Sequence, residues 1–275
     1  MSIGNILEIV RNARKHGRAV GAFEINGLEE GLGIYDAVVA TNQPVILQVN
    51  NQNVGAAFYQ FYAGLARLVA ELCPVPVGVQ LTYCSNFEDA VSAINAGFLS
   101  LMVDCTKSAW EDNIKLVTEI VKYAHRKDVT VEVLLDSISV PEEPMINETD
   151  ERYLDRLLQF VLDTKIDLLA FLLNTTTKMD EPQVNYLKLQ QLQETMPVPL
   201  VLVERAQLKP VVAKQCIKLG IAKVNFMDSL LEEYLNQVFV YYQNDHQIAS
   251  LPQELLKIGR SRVAELVNQK LILLS

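Results

Sequence analysis

The sequence predicts a closed (β/α)8 barrel of the TIM type followed by one additional C-terminal helix. Apolar, strand-like runs alternate eight times with segments whose apolar residues recur at helical spacing. Each strand–helix unit takes roughly 25 to 35 residues, and eight such units approach the ~250 residues typical of this barrel. An open doubly wound sheet is the alternative, but no Gly-x-Gly-x-x-Gly turn follows the first strand. No Pro-, Gly- or Ser-rich linker divides the chain, so residues 1–275 are expected to form a single domain.

The strands are placed where short apolar runs lie between turn residues: Ala19–Ile25, Val45–Val49, Val77–Tyr83, Phe98–Asp104, Thr130–Leu135, Leu168–Leu173, Leu200–Val203 and Ala222–Phe226. The helices that follow them are Leu28–Ala40, Val54–Leu72, about Phe87–Asn95, Trp110–Arg126, Glu151–Leu162, Val184–Thr195, Lys209–Leu219 and Ser229–Gln243. Ser85 or Asn86 can cap the third of these helices, and Gly97 follows its end. Gln253–Leu274 is a further amphipathic helix, in an extension of about residues 250–275.

Composition excludes several classes of partner. The net charge of −9 argues against nucleic acid and against an anionic membrane, because both require a basic protein face. No apolar run approaches the ~18 residues that a membrane-spanning helix needs. The four cysteines form no Cys-x-x-Cys pair, which indicates free thiols and a reducing, cytoplasmic location.

Several segments resemble the class II, metal-dependent fructose-bisphosphate aldolases. The most specific are Ala-Gly-Phe-Leu-Ser-Leu-Met-Val-Asp at 96–104 and Lys-Leu-Gly-Ile-Ala-Lys-Val-Asn at 218–225. Similar residues at matching spacing occur at Ile6–Gly17, Ala19–Phe23, Pro44–Val49, Pro199–Leu202 and in the final eight residues. The resemblance covers nearly the whole chain and implies the same barrel fold.

The resemblance also implies a zinc site, and the sequence departs from the family at each matched ligand. Tyr83 stands where the third strand of the family carries a zinc-binding histidine, and Thr82 replaces its proton-transfer aspartate. The other three matched ligand positions hold Leu134, Thr177 and Val203. A catalytic zinc needs about three protein ligands of imidazole, thiolate or carboxylate type. We therefore expect no bound metal and no cofactor.

The phosphate-binding positions of the family are also changed. Glycines whose amides cradle phosphate are replaced by Glu204 and Arg205, and Asp228 lies in the turn after the last strand. Two added carboxylates at these positions are expected to repel a phosphoryl dianion.

The polar residues that remain at strand ends are the candidate site. Glu132 and Asp104 match polar positions of the family and are the candidates for catalysis. The candidates for ligand binding are Asn26, Asn225, Lys178, Arg205 and Tyr83. The alternative interpretation is a set of hydrogen-bonded groups that merely close the top of the barrel. Cys84 and Cys105 end adjacent strands, but no base that would activate either thiol is evident.

Two hypotheses follow. The first is a catalytically inactive aldolase homologue that has lost its metal site and serves in binding or assembly. The alternative is a divergent, metal-independent lyase that acts on a small carbonyl or sugar phosphate, with Glu132 or Asp104 as acid–base and Lys178, Lys107 or Tyr83 assisting. In the first case the barrel mouth should be filled by Tyr83, Leu134, Val203, Phe226 and Met227. In the second it should hold a pocket with a carboxylate of raised pKa.

The C-terminal helix raises the question of assembly. Its apolar stripe includes Leu255, Val263 and Val267, and a barrel with eight helices in place leaves no evident groove for a ninth. Part of the stripe is therefore expected to be covered by another subunit, in a homodimer or higher homo-oligomer or with an active aldolase as partner. The alternative is that the helix packs on its own barrel.

Overall fold

The computed structural model describes residues 3–137, 150–173, 184–204, 208–227, 230–244 and 252–275. Eight parallel strands close into a barrel in chain order, and the last strand pairs with the first. They are β1 (Val20–Glu24), β2 (Val45–Asn50), β3 (Val77–Cys84), β4 (Ser100–Asp104), β5 (Thr130–Ser137), β6 (Leu168–Leu173), β7 (Leu200–Glu204) and β8 (Ile221–Phe226). The predicted barrel is confirmed.

The helices of the described residues are α1 (Ile6–Lys15), α2 (Leu28–Thr41), α3 (Asn51–Val54), α4 (Tyr59–Leu72), α5 (Phe87–Ala96), α6 (Trp110–His125), α7 (Asp150–Thr164), α8 (Tyr186–Thr195), α9 (Pro210–Lys218), α10 (Leu230–Asn244) and α11 (Pro252–Leu273). The predicted helices do not include α1, which follows the N-cap residue Asn5. The helix predicted from Val54 to Leu72 is broken, because Gly55 takes a φ of +66° that ends α3.

Two apolar layers hold the fold together. The larger one lies between the strands and the surrounding helices. The smaller one fills the barrel interior, where α1 inserts Ile6, Ile9 and Val10 among inward-facing strand residues. Because the N–H of Gly4 donates to the carbonyl of Val77 at the start of β3, α1 covers the end of the barrel opposite the carboxyl ends of the strands.

Phe226 does not fill the barrel mouth as predicted. It lies in the layer between strands and helices, where its ring stacks on Phe23 with centroids 5.2 Å apart. The cause is the twofold alternation of side chains along a strand, which sends Phe226 outward while its neighbour Asn225 points inward.

The premise that the barrel offers no groove for α11 is wrong, whereas cover of the rest of its apolar stripe by another subunit stays a prediction, since Leu256 and Ile272 are 43% and 59% exposed. A groove on the barrel does hold this helix: α11 packs against α2 and α10 of the same chain, where Val263 and Val267 are fully buried. The bidentate contact of Arg260 with Asp36 on α2, with both N–O distances 2.6 Å, ties the helix down.

Glycines make this groove. A Cβ atom on Gly33 of α2 would lie 2.7 Å from a methyl carbon of Val263 and 2.9 Å from the carbonyl oxygen of Arg260. A Cβ atom on Gly259 of α11 would lie 2.3 Å from the ring of Tyr234. All three distances are shorter than real contacts allow, so the helices reach this separation only because these positions lack side chains.

Within the described part of the chain, no helix combines the length and the apolar character that crossing a membrane requires.

We predict that Gly33→Ala lowers the free energy of unfolding by about 1 to 3 kcal/mol, because the added methyl group forces α2 and α11 apart. The matched control is Gly64→Ala in α4, where nothing lies within 4 Å of the added carbon. This control should be stabilised by about 1 kcal/mol, since alanine favours a helix. Urea denaturation of both variants measures the difference. Equal stability of the two variants would contradict the close packing of α11.

Candidate functional site in the barrel

A layer of polar side chains crosses the barrel interior. They project inward from five strands and are almost fully buried: Gln48, Gln80, Ser100, Glu132, Lys223 and Asn225. Buried polar groups are costly unless they hydrogen-bond, so the partners of each one define what this layer can do.

Glu132 of β5 is the centre of the layer. Its Oε2 lies 2.5 Å from the Nζ of Lys223 on β8, and Gln80 donates to the same oxygen at 3.2 Å. Its other oxygen, Oε1, accepts from Asn225 Nδ2 at 2.8 Å. Both carboxylate oxygens therefore have partners inside the protein.

Gln80 connects the Glu132–Lys223 pair to Gln48 on β2 and Ser100 on β4. Its Oε1 accepts from Lys223 Nζ at 2.7 Å and from Gln48 Nε2 at 2.7 Å, while its Nε2 also donates to Ser100 Oγ at 3.2 Å. Burial lowers the pKa of Lys223, because it removes water from the ammonium group, and the nearby carboxylate of Glu132 offsets part of this effect. This arrangement gives Lys223 a structural role as the counter-ion of Glu132.

Tyr83 lies among the apolar side chains of the barrel interior. It has a φ of +57°, where the pairing of β3 with β4 shifts register between Leu81 and Cys84. Simple alternation from the inward-facing Gln80 would send Tyr83 outward, and the bulge turns it inward instead. Leu134 and Val203 lie in the same interior cluster, and the Tyr83 hydroxyl is 3.6 Å from the sulfur of the partly buried Met227.

Two further candidates, Asp104 and Asn26, form hydrogen bonds with residues outside the polar layer around Glu132. Asp104 ends β4, and its Oδ1 accepts from the backbone N–H and the hydroxyl of Thr106 at 3.0 and 2.6 Å. Asn26 follows β1 and donates through its side chain to Glu30 at 3.2 Å. Neither makes a hydrogen bond to the polar layer of the interior among the described contacts.

Sequence reasoning missed a carboxylate at the mouth. Glu24 is the last residue of β1 and accepts from Asn50 at 3.2 Å and from Asn53 at 2.8 Å. Burial raises its pKa, although these hydrogen bonds oppose the shift. The pKa of Glu30 is raised as well, mainly by burial and in smaller part by the charge of Glu24. The alternation of Val20, Ala22 and Glu24 on β1 was the signal that could have found it.

Cys84 and Cys105 offer no activated thiol. Burial raises the pKa of the thiols of Cys84 and Cys105 to about 12, which keeps both protonated and poorly nucleophilic. Lys107 is exposed. Lys178 and Arg205 lie outside the described residues.

Of the two carboxylates expected at the phosphate position, Asp228 lies outside the described residues, and Glu204 points away from the barrel interior. Glu204 of β7 is fully buried, its Oε1 accepts from the backbone N–H of Leu208 at 2.7 Å, and its Oε2 lies 3.8 Å from the Nζ of Lys270 on α11. The ammonium group of Lys270 also lies 4.3 Å from the centre of the Phe226 ring, in the layer outside the strands. Glu204 thus anchors the C-terminal helix.

No group of three or more His, Cys, Asp or Glu side chains suited to a metal ion occurs in the described parts of the chain. Two of the three histidines lie in these parts. His16 follows α1, and His125 ends α6, where it contacts Asp167 at 3.0 Å.

The comparisons with known proteins agree with this architecture. The crystal structure of the YdjI aldolase from Escherichia coli K12 matches with a TM-score of 0.83 at 24% sequence identity. The match covers 99% of this chain and 97% of the YdjI chain. A putative fructose-1,6-biphosphate aldolase from Coccidioides immitis matches with a TM-score of 0.79 at 22% identity over 98% and 96% of the two chains. A fructose-bisphosphate aldolase from Campylobacter jejuni matches with a TM-score of 0.80 at 15% sequence identity, over 97% of this chain and 93% of the other.

These identities establish the fold alone. The family model described as "Fructose-bisphosphate aldolase class-II" matches residues 4–275, which is nearly the whole chain. The chain therefore belongs to the class II fructose-bisphosphate aldolase family.

Proposed function

We propose that this chain is a member of the family that does not carry out metal-dependent aldol chemistry and acts instead as a binding or assembly protein. The observation that carries the proposal is the state of the barrel interior. The carboxylate of Glu132 is fully buried, and both of its oxygens are occupied by Lys223, Gln80 and Asn225. A general acid or base must come within hydrogen-bond reach of its substrate, and these partners stand in the way.

The side chains at the family's ligand positions support the same proposal. Leu134 and Val203 offer no ligand atom, and the phenol of Tyr83 is directed at the sulfur of Met227. Such a donor set does not fit zinc, which takes imidazole, thiolate or carboxylate ligands. Thr177 completes the matched set and lies outside the described residues.

We place the protein in the cytoplasm. All four cysteines are unpaired and buried, which suits a reducing compartment.

Two observations favour the alternative, a divergent lyase. Glu24 at the mouth is a partly buried carboxylate of raised pKa, and it lies beside the amides of Asn50 and Asn53. In addition, Asn225 Oδ1 is buried and accepts no hydrogen bond within the described part of the structure. A substrate hydroxyl group would satisfy this acceptor, and Glu24 would then serve as the acid–base in place of Glu132 or Asp104.

We predict no cleavage of fructose or tagatose 1,6-bisphosphate, with or without added zinc. Loss of both the Lewis acid and the proton-transfer aspartate removes interactions worth ~8 kcal/mol, which is about six decades in rate. A coupled assay that detects the triose phosphate products measures this, with an active class II aldolase as positive control. Turnover above background that Glu24→Gln or Glu132→Ala abolishes would establish the divergent lyase instead.

Zinc binding is a separate expectation. Protein incubated with zinc and then desalted should retain far less than one equivalent per chain by elemental analysis, since the ligand positions offer no suitable donors. One full equivalent that Cys84→Ser or Asp104→Asn removes would reveal a new metal site.

We predict that Lys223→Met lowers the free energy of unfolding by about 3 to 5 kcal/mol, because it leaves Glu132 buried without a counter-ion. The double variant Glu132→Gln with Lys223→Met removes both charges and should recover at least ~1 kcal/mol of that loss. Urea denaturation with circular dichroism measures each value. A double variant less stable than the single one would show that the ion pair is not the dominant interaction here.

A further inference from the structure

A cavity of about 520 Å³ lies at the end of the barrel where the strands begin, opposite the mouth. Its wall comes from the ends of α1 and α8, from α9 and from the start of β8. Strand β8 pairs with β1, and short turns at Gly17 and Gly220 lead into these two strands. The ends of α1 and α9 therefore lie side by side at this cavity, whose volume is in the range of small-molecule sites.

Four cations line this cavity: Arg14 of α1, Arg18 before β1, and Lys214 and Lys218 of α9. Its described wall contains no Asp or Glu side chain, and none of the four cations forms an ion pair within the described part of the chain. A carboxylate at Ser275, which also lines the cavity, would still leave positive charge in excess. Because like charges repel one another, a bound anion would stabilise this face.

Helix ends account for only part of this arrangement. Arg14 and Lys218 lie in the last turns of α1 and α9, where a cation complements the helix dipole. Arg18 lies outside any helix, and Lys214 is in the middle of α9, so neither gains from the dipole of a helix end. The described contacts thus give these two cations no role in the fold.

Gln193 of α8 adds an amide to the wall. Its side-chain oxygen lies against the backbone of Gly220, where an added Cβ atom would clash with it. This oxygen is buried and accepts no hydrogen bond in the described part of the structure. Since buried acceptors are nearly always paired, a hydroxyl group on a bound molecule would supply the missing donor.

We propose that this cavity, lined by Arg14, Arg18, Lys214, Lys218 and Gln193, binds a small multivalent anion that also carries a hydroxyl group. Phosphorylated metabolites and hydroxylated polycarboxylates share this chemistry. Arginine binds phosphate and carboxylate groups through two parallel hydrogen bonds, and lysine adds a compact charge. The site lies at the end opposite the mouth, so the inference goes beyond the proposed function and does not depend on it.

The charge of the remaining surface selects a small ligand. The chain has a net charge of −9 with these four cations included, so the rest of its surface is strongly acidic. A nucleic acid or an anionic membrane would extend beyond the cavity and meet this acidic surface, which repels it. A ligand that fits within about 520 Å³ avoids that repulsion.

Two double variants test the proposal. Arg14→Gln with Lys218→Gln removes two cations from the cavity. The matched control is Lys122→Gln with Arg126→Gln, because Lys122 lies in the last turn of α6 and Arg126 is the C-cap residue of that helix. Each pair removes one arginine and one lysine at helix C-termini, so the net charge and the interactions with helix dipoles change alike. Circular dichroism shows whether each variant is folded.

Isothermal titration calorimetry at low ionic strength is the measurement, with magnesium-free ATP and citrate as separate probes. Both probes carry several negative charges and a hydroxyl group, on phosphates in one and on carboxylates in the other. We expect at least one of them to bind the unchanged chain with a micromolar Kd. The cavity variant should weaken that binding roughly 10-fold or more, and the control should stay within about 2-fold. Added salt should weaken the binding, because it screens exposed charges.

Binding of ATP alone would assign the cavity to phosphorylated metabolites, and binding of citrate alone would assign it to polycarboxylates. Binding of neither probe at millimolar concentration would overturn the proposal. Equal weakening in the two double variants would also overturn it, because the attraction would then come from overall charge. Arg18→Gln with Lys214→Gln, at two exposed positions, replaces the first pair if that pair does not fold. A failure here would leave the prediction of no aldolase turnover standing, since the titration measures binding alone.

Discussion

The structure depends on one buried ion pair. Glu132 and Lys223 lie in the middle of the barrel with no exposure to water, joined at 2.5 Å. Neither charge could be buried alone, because the desolvation of a single ion costs several kcal/mol. Gln80 and Asn225 complete the hydrogen bonds of the pair, so β3, β5 and β8 must keep their register for any of the four groups to be satisfied.

This constraint explains how the polar layer is tolerated next to the apolar cluster of the barrel interior. Removing either charge alone would be destabilising, whether or not the site performs chemistry. The residues around the mouth are not held in this way, and there Leu134, Val203 and the inward-turned Tyr83 form a contiguous apolar cluster. The need for stability alone is thus enough to explain the polar layer. The residues nearer the mouth are therefore the ones that indicate function.

The outer surface shows the same division. Gly33 and Gly259 allow α11 to lie close on its own barrel, which buries Val263 and Val267. On α4, by contrast, Phe61, Leu68 and Leu72 remain 65%, 65% and 60% exposed within the described part of the chain. Apolar residues at helical spacing in a sequence indicate a buried face, but they do not state whether the covering element belongs to the same molecule.

The sequence alone determined the barrel, because the alternation of strand and helix patterns is local and repeats eight times. It also identified Glu132 and Asn225 as inward polar residues, since they belong to recognisable motifs. Only the tertiary structure decided which side chains contact one another. Lys223 meets Glu132 across 91 positions of sequence, Tyr83 turns inward because of a bulge, and α11 finds a groove made by missing side chains. The alternation on β1 is enough to turn Glu24 inward, but its burial and its contacts with the amides of Asn50 and Asn53 come from the tertiary structure. Long-range contacts of this kind depend on the register and twist of paired strands, which the composition of a single segment does not encode.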